Sequence, residues 1–258
     1  MTFAVPADAY DRLVGRYSYD LSDALAGAAG IGPDTRVLDV GAGTGVGTRR
    51  LVELAGADRV TAVEPSPPFV EALRHRFPGV DVRQASAESL PFDDDVFDAA
   101  LAQLVFNFTA DPDAGVAELR RVTRPGGVVA ACVWDYVEEM TLLRVFWDAA
   151  TALDPQRAAG ANEATQMSFA RDGELAELWR RAGLRDVSQG ALVVSVAYES
   201  FDEVWDPFTA GVAPSGAYTA SLDDEGRAAL RAEYRRRLGE PEGGLELSAR
   251  AWYAVGKA

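Results

Sequence analysis

Thr35-Arg36-Val37-Leu38-Asp39-Val40-Gly41-Ala42-Gly43-Thr44-Gly45 decides how the rest of the chain is read. Its first half is short, mostly apolar or β-branched, and follows the turn residues Gly32-Pro33-Asp34, so it reads as a strand. Alternating glycines come next. Val46 to Gly56 then carries apolar residues at helical spacing (Val46, Leu51, Val52, Leu54, Ala55). Strand, glycine turn and helix are how an open α/β sheet brings backbone and a helix N-terminus to a ligand. The glycine spacing is not that of a dinucleotide fingerprint, whose third glycine position is occupied here by Val46.

Working outward, Arg59 to Glu64 is a second strand ending in an acid. Glu64 follows the glycines by about twenty residues, the distance at which a carboxylate reaches ribose hydroxyls in nucleotide-binding α/β folds. Pro67 opens a helix through Phe77, in which His75, the only histidine, sits among arginines and reads as a surface residue. Strands follow at 80–85, 97–102 and 128–133, with a helix capped by Asp111 between the last two. Asp93-Asp94-Asp95 reads as a solvated acidic turn, and no metal site is expected. Ala9 to Gly30 is expected to be helical, as are Asp135 to Leu153 and Asp172 to Ala182, with Asp154 to Thr165 as a linker. Ala191–Tyr198 and Leu247–Gly256 are expected as two late strands, separated by a mostly helical, aromatic segment.

Composition bounds the function. The chain has 258 residues, 48% hydrophobic, enough for one sizeable core with a small cap. The formal net charge of −15 argues against a broad nucleic-acid footprint. No apolar run approaches the ~20 residues of a membrane helix, and the N-terminus lacks a secretory pattern. The single Cys132 excludes an internal disulfide and suits a cytoplasmic setting. Expected partners are therefore a small molecule rather than nucleic acid or membrane, with the chain a monomer or homodimer.

The motif Val37-Leu38-Asp39-Val40-Gly41-Ala42-Gly43-Thr44-Gly45 resembles the first motif of the class I S-adenosylmethionine (SAM)-dependent methyltransferases. Three further stretches agree with it. Val63-Glu64-Pro65-Ser66 is similar to the second motif, and Ser86-Ala87-Glu88-Ser89-Leu90-Pro91-Phe92 to the family's D-A-x-x-L-P-F. Arg121-Val122-Thr123-Arg124-Pro125-Gly126-Gly127 precedes an apolar strand, as in the family. The resemblance is closest to the ubiquinone/menaquinone C-methyltransferase-like group. It implies a doubly wound, seven-stranded, mostly parallel sheet with an antiparallel last strand. A lid at 1–34, a SAM-binding core at 35–135, and the remaining sheet with a helical cap at 136–258 complete it.

The resemblance further implies that Asp39, Gly41, Ala42 and Gly43 hold the methionine moiety of S-adenosyl-L-methionine. Glu64 would hold the ribose. Pro65, Ser66, Ser86, Ala87 and Glu88 would surround the adenine, with Gln103 and Leu104 below the sulfonium. S-adenosyl-L-homocysteine is the implied product. Two positions depart from the family: Ser86 stands where it usually has Asp, and Asn107 where its conventional form has His. Asn107, Tyr17 and Asp135, with Trp134, are the expected substrate-facing groups. Methyl transfer to O, N or C of a small molecule is the leading reading. A SAM-fold protein that does not methylate, such as a cyclase or noncatalytic partner, and an NAD-dependent oxidoreductase are the alternatives.

Overall fold

The computed structural model describes residues 15–211 and 213–258. The described part of the expected Ala9–Gly30 helix is α1, Arg16–Ala29, closed by Gly30 in the left-handed conformation, where its N–H reaches the Ala26 and Gly27 carbonyls. Earlier residues of that segment lie outside the described ones. Seven strands form one sheet: β1 Val37–Val40, β2 Val60–Glu64, β3 Asp81–Gln84, β4 Phe97–Gln103, β5 Thr123–Trp134, β6 Arg185–Tyr198 and β7 Leu245–Lys257. Their order is β3-β2-β1-β4-β5-β7-β6. Pairing is parallel from β3 to β5, while β7 runs antiparallel to both β5 and β6.

The parallel strands at the centre are apolar because both sheet faces are covered. Every residue of β1 and β2 is buried. One face packs against α1, α2 (Val46–Ala55) and α3 (Pro67–Arg76), and against α5 (Thr141–Leu153) further along. The other face packs against α4 (Pro112–Val122) and α8 (Glu174–Arg181). Leu21 and Leu25 of α1 are fully buried, and truncating either to Ala would cost about 2–5 kcal/mol. Trp179 of α8 lies edge-on to Phe106, ring centroids 5.1 Å apart, and donates its indole N–H to the Val129 carbonyl at 2.9 Å. Cys132 is buried in β5, and burial pushes its thiol up to about 12.

Three expectations are corrected. Asp135 to Leu153 is not one helix. The Asp135 carboxylate accepts N–H bonds from Val137 and Glu138, holding a turn, so α5 begins only at Thr141. Asp154 to Thr165 is not a plain linker. Asp154 and Asn162 each accept a backbone N–H from the first turn that follows, capping α6 (Pro155–Ala159) and α7 (Glu163–Gln166). The late strands are longer than 191–198 and 247–256, pairing from Arg185↔Lys257 to Tyr198↔Leu245. The polar start of β6 hid it, because an edge strand with much of its surface in solvent has no need of an apolar face. The segment between them folds as α9 (Phe201–Trp205), α10 (Ala213–Ala220) and α11 (Asp224–Arg237). Aromatic residues of this segment pack round Phe146 of α5, with Phe208 stacked on it at 4.4 Å.

Candidate functional site

The strand order reverses at β1, between β2 and β4, and ligands of open α/β sheets bind outside the carboxyl ends there. A cavity of about 320 Å³ opens at that point. The turn after β1 forms one wall. Gly41 has φ +69°, and a Cβ on it would lie 2.5 Å from Val105 Cγ2, so both conformation and space demand glycine. Gly45 serves packing instead: its Cβ would meet Phe77 and Leu73 of the α3 region at 2.6 and 2.7 Å.

The turn's N–H groups are committed internally. Gly41 and Ala42 donate to the Val63 carbonyl at 2.9 and 3.0 Å, and Gly45 donates to the Ala42 carbonyl. Gly43 donates to Glu64 Oε2 at 2.9 Å, while Ser66 donates to Glu64 Oε1 at the same distance. Glu64 is therefore pinned at the end of β2 by two backbone bonds that favour its charge, although burial outweighs them and raises its pKa. Asp39, 4% exposed at the end of β1, accepts the Thr48 hydroxyl at 2.6 Å. Burial chiefly, with Glu64 adding repulsion, pushes its carboxyl up to about 6 against the Thr48 bond.

The far wall comes from the segments after β3 and β4. Ser86, Ala87 and Glu88 line it together with Thr109 and Ala110. Glu88 Oε1 accepts the Ala110 N–H at 3.0 Å and ties the two segments together. Gln103 and Leu104 line the cavity where β4 ends. Gln103 Nε2 donates to the Ser18 carbonyl of α1 at 3.0 Å. Leu104 has φ +59°, rare for a side-chain-bearing residue, and donates its N–H to the Cys132 carbonyl at 2.8 Å. Asp39, Glu64 and Glu88 are the charged side chains among the described lining, which contains no Arg, Lys or His. Such a wall suits a ligand bearing positive charge and hydroxyl donors. A dinucleotide pyrophosphate would find neither free turn N–H groups on Gly41–Gly43 nor a cation.

The structure thus gathers Asp39, Gly41, Ala42, Gly43, Glu64, Pro65, Ser86, Ala87, Glu88, Gln103 and Leu104 round one cavity. Ser66 does not line it and acts through its N–H on Glu64. The expected substrate-facing groups lie elsewhere. Tyr17 is fully buried, accepts a hydrogen bond from the Tyr198 hydroxyl at 3.2 Å and packs edge-on to Trp134. Asp135, 1% exposed, is ion-paired to Arg250 at 2.6 Å. Asn107 sits behind the wall, its amide N–H 3.4 Å from the Tyr136 hydroxyl and 3.8 Å from Met167 Sδ, its Oδ1 buried with no partner among the described residues. Phe69, Val105 and Phe108 also line the cavity and went unnamed in the sequence reading. The clue for Phe69 was its place in the first turn of the helix after Glu64.

Comparison with known proteins agrees with this geometry. Residues 38–131 match the methyltransferase domain family. A rice (Oryza sativa subsp. japonica) 2-methyl-6-phytyl-1,4-hydroquinone methyltransferase is 32% identical over 183 residues, 69% of this chain and 48% of that protein. An uncharacterized methyltransferase of Mycobacterium tuberculosis is 40% identical over 141 residues, 54% of each chain. The chain thus spans about half the length of these curated relatives. A crystal structure of a candidate methyltransferase from Bacillus halodurans superposes with a TM-score of 0.59 at 15% identity, covering 92% of this chain and 97% of that one, a likeness of fold. The ordered motifs, the match over residues 38–131 and the sheet with its antiparallel β7 identify a methyltransferase domain of the class I SAM-dependent type within the chain.

Proposed function

We propose that this protein transfers a methyl group from S-adenosyl-L-methionine to a small-molecule acceptor. The observation that carries the reading is the cavity at the β1/β4 switch point, lined by Asp39, Glu64 and Glu88 with no cationic side chain among its described residues. SAM, when bound, supplies an electrophilic methyl carbon on a positively charged sulfur. The residues present fit it: Gly41 leaves room where a Cβ would not, Asp39 matches an ammonium group, and Glu64 can accept from a pair of hydroxyls. Ser86, Ala87, Glu88, Pro65 and Phe69 would enclose the adenine, with Gln103 and Leu104 closing the floor.

The chain's own contribution to rate is alignment and exclusion of water. Displacement at a methyl carbon needs the acceptor atom in line and close, and holding two reactants so can supply about 7–11 kcal/mol of the barrier. The Gln103–Ser18 bond ties α1 to the end of β4 and helps close that space. No histidine lines the cavity among the described residues, so an acceptor ionised in solution or by its own chemistry fits this site best. The rice relative's named substrate makes a substituted 1,4-hydroquinone the first acceptor to try. The experiment is release of S-adenosyl-L-homocysteine from SAM with and without each acceptor. Acceptor-dependent release supports the reading. Tight SAM binding with no release across hydroquinones, phenols and amines would favour a family member that binds without methylating.

A further inference from the structure

Glu163 is a buried carboxyl that the proposed chemistry does not use. It opens α7 inside the helical cap, 2% exposed. One oxygen, Oε2, accepts the Trp147 indole N–H from α5. Among the described residues the other, Oε1, has no hydrogen-bond partner, and neither does the buried hydroxyl of Ser215 on α10. Ser215 is near enough that its N–H and hydroxyl favour the charged form of Glu163, yet burial prevails and pushes the carboxyl up to about 7. Aromatic rings surround the pair, Trp147 lying edge-on to Tyr218 at 5.3 Å and to Phe146 at 5.2 Å.

Among the described residues no opposite charge offsets Glu163. On α5, Arg144 and Asp148 pair with each other at the surface. On α6, Asp154 caps its own helix and Arg157 faces Tyr218 and Ser221. Glu163 is the one charged residue of α7, and α10 carries none. Beyond α7, Arg171 pairs with Glu174. An unpaired carboxylate in such surroundings is costly, whereas the acid form is neutral and gains an O–H donor.

We propose that Glu163, Trp147 and Ser215 form a proton-operated latch fastening α7 and α10 to α5, and that through α7 it positions the cavity wall. The link is short. Met167 caps the C-terminal end of α7, its Sδ receives the Asn107 amide N–H, and Asn107 belongs to the 104–110 segment that lines the cavity. In the closed latch the neutral, protonated Glu163 accepts from Trp147 and stands beside Ser215. On opening, that proton passes to water and the charged carboxylate is drawn toward solvent, loosening α7. Glu163 is a positioning residue.

The test is hydrogen–deuterium exchange on the whole, unliganded chain between pH 5.5 and 8.5, corrected for intrinsic rates, so it does not depend on the cofactor reading. Peptides spanning 155–167, 213–220 and 104–110 are expected to lose protection by several-fold as pH rises, while 128–134 in the sheet holds. Glu163→Gln should abolish that step and keep the protected state at high pH. Ser215→Ala, which retains the carboxyl but removes a group favouring its charge, should move the midpoint upward. Unchanged wild-type protection across the range overturns the latch whether or not either variant folds. So does a wild-type step surviving in Glu163→Gln, or a downward midpoint in Ser215→Ala.

Discussion

Replacing Asp39 by Asn separates the stability of the cavity from its binding. In the folded protein burial and Glu64 lift the Asp39 carboxyl from an ordinary value near 3.8 to about 6. A shift of roughly two units corresponds to about 3 kcal/mol. Because the folded value is the higher one, this group's contribution is fully favourable below pH 3.8 and is lost as pH rises through about 6. The wild-type protein then carries a buried, ionised Asp39 at neutral pH. The amide in the Asp39→Asn variant would have no such dependence, although it can still accept the Thr48 hydroxyl. Between pH 5 and 8 the stability of wild type relative to Asp39→Asn should fall by about 1.4 kcal/mol, levelling off above pH 7. For a domain of this size that is a relative change in Tm of roughly 3–6 °C. Any fixed offset from the amide's own hydrogen bonding cancels from this difference. Scanning both proteins at half-unit pH steps, with and without S-adenosyl-L-homocysteine, reads both effects. Wild type should gain Tm with ligand at pH 8 while the variant gains little, because the ligand's ammonium has lost its charged partner. A stability gap constant from pH 5 to 8, or a full ligand shift in the variant, would refute the reasoning.

Gly41→Ala should weaken S-adenosyl-L-homocysteine binding by at least tenfold and lower stability by about 1–3 kcal/mol, read by calorimetry and thermal unfolding, since it combines φ +69° with a 2.5 Å approach to Val105. Glu64→Ala should cost about 1–3 kcal/mol by stranding the Gly43 and Ser66 N–H groups, and should abolish the ligand-induced Tm shift. Arg250→Ala leaves Asp135 buried without its ion pair and should cost about 3–5 kcal/mol in denaturant unfolding, with cofactor affinity changed far less.

The part of the site that could be read in the sequence is the part built locally. Asp39, the glycines and Glu64 are fixed by strand ends and a turn whose residue types must stand in that order, so spacing alone places them on one cavity. Ser86–Glu88, just past β3, and Gln103–Leu104, where β4 ends, are legible through the resemblance to the methyltransferase motifs rather than through spacing. What could not be read depends on partners distant along the chain. Asp135 stands at a strand's carboxyl end like a site residue, but Arg250, 115 positions away, claims it for the core. Tyr17 similarly meets Tyr198 across 181 positions. The turn N–H groups also look available in the sequence. Only the register of β1 beside β2 shows Gly41 and Ala42 spending theirs on Val63. The length of β6 escaped notice because an edge strand does not alternate cleanly.

The central claim is that the acid-lined cavity receives a sulfonium nucleoside rather than a dinucleotide. Isothermal titration of the whole chain at pH 7.5 with SAM, S-adenosyl-L-homocysteine and NAD⁺ tests it most directly. The account predicts saturable one-to-one binding of both sulfur ligands, lost in Glu64→Ala, with no heat from NAD⁺. Binding of NAD⁺ alone, or sulfur-ligand binding that survives Glu64→Ala undiminished, would contradict it.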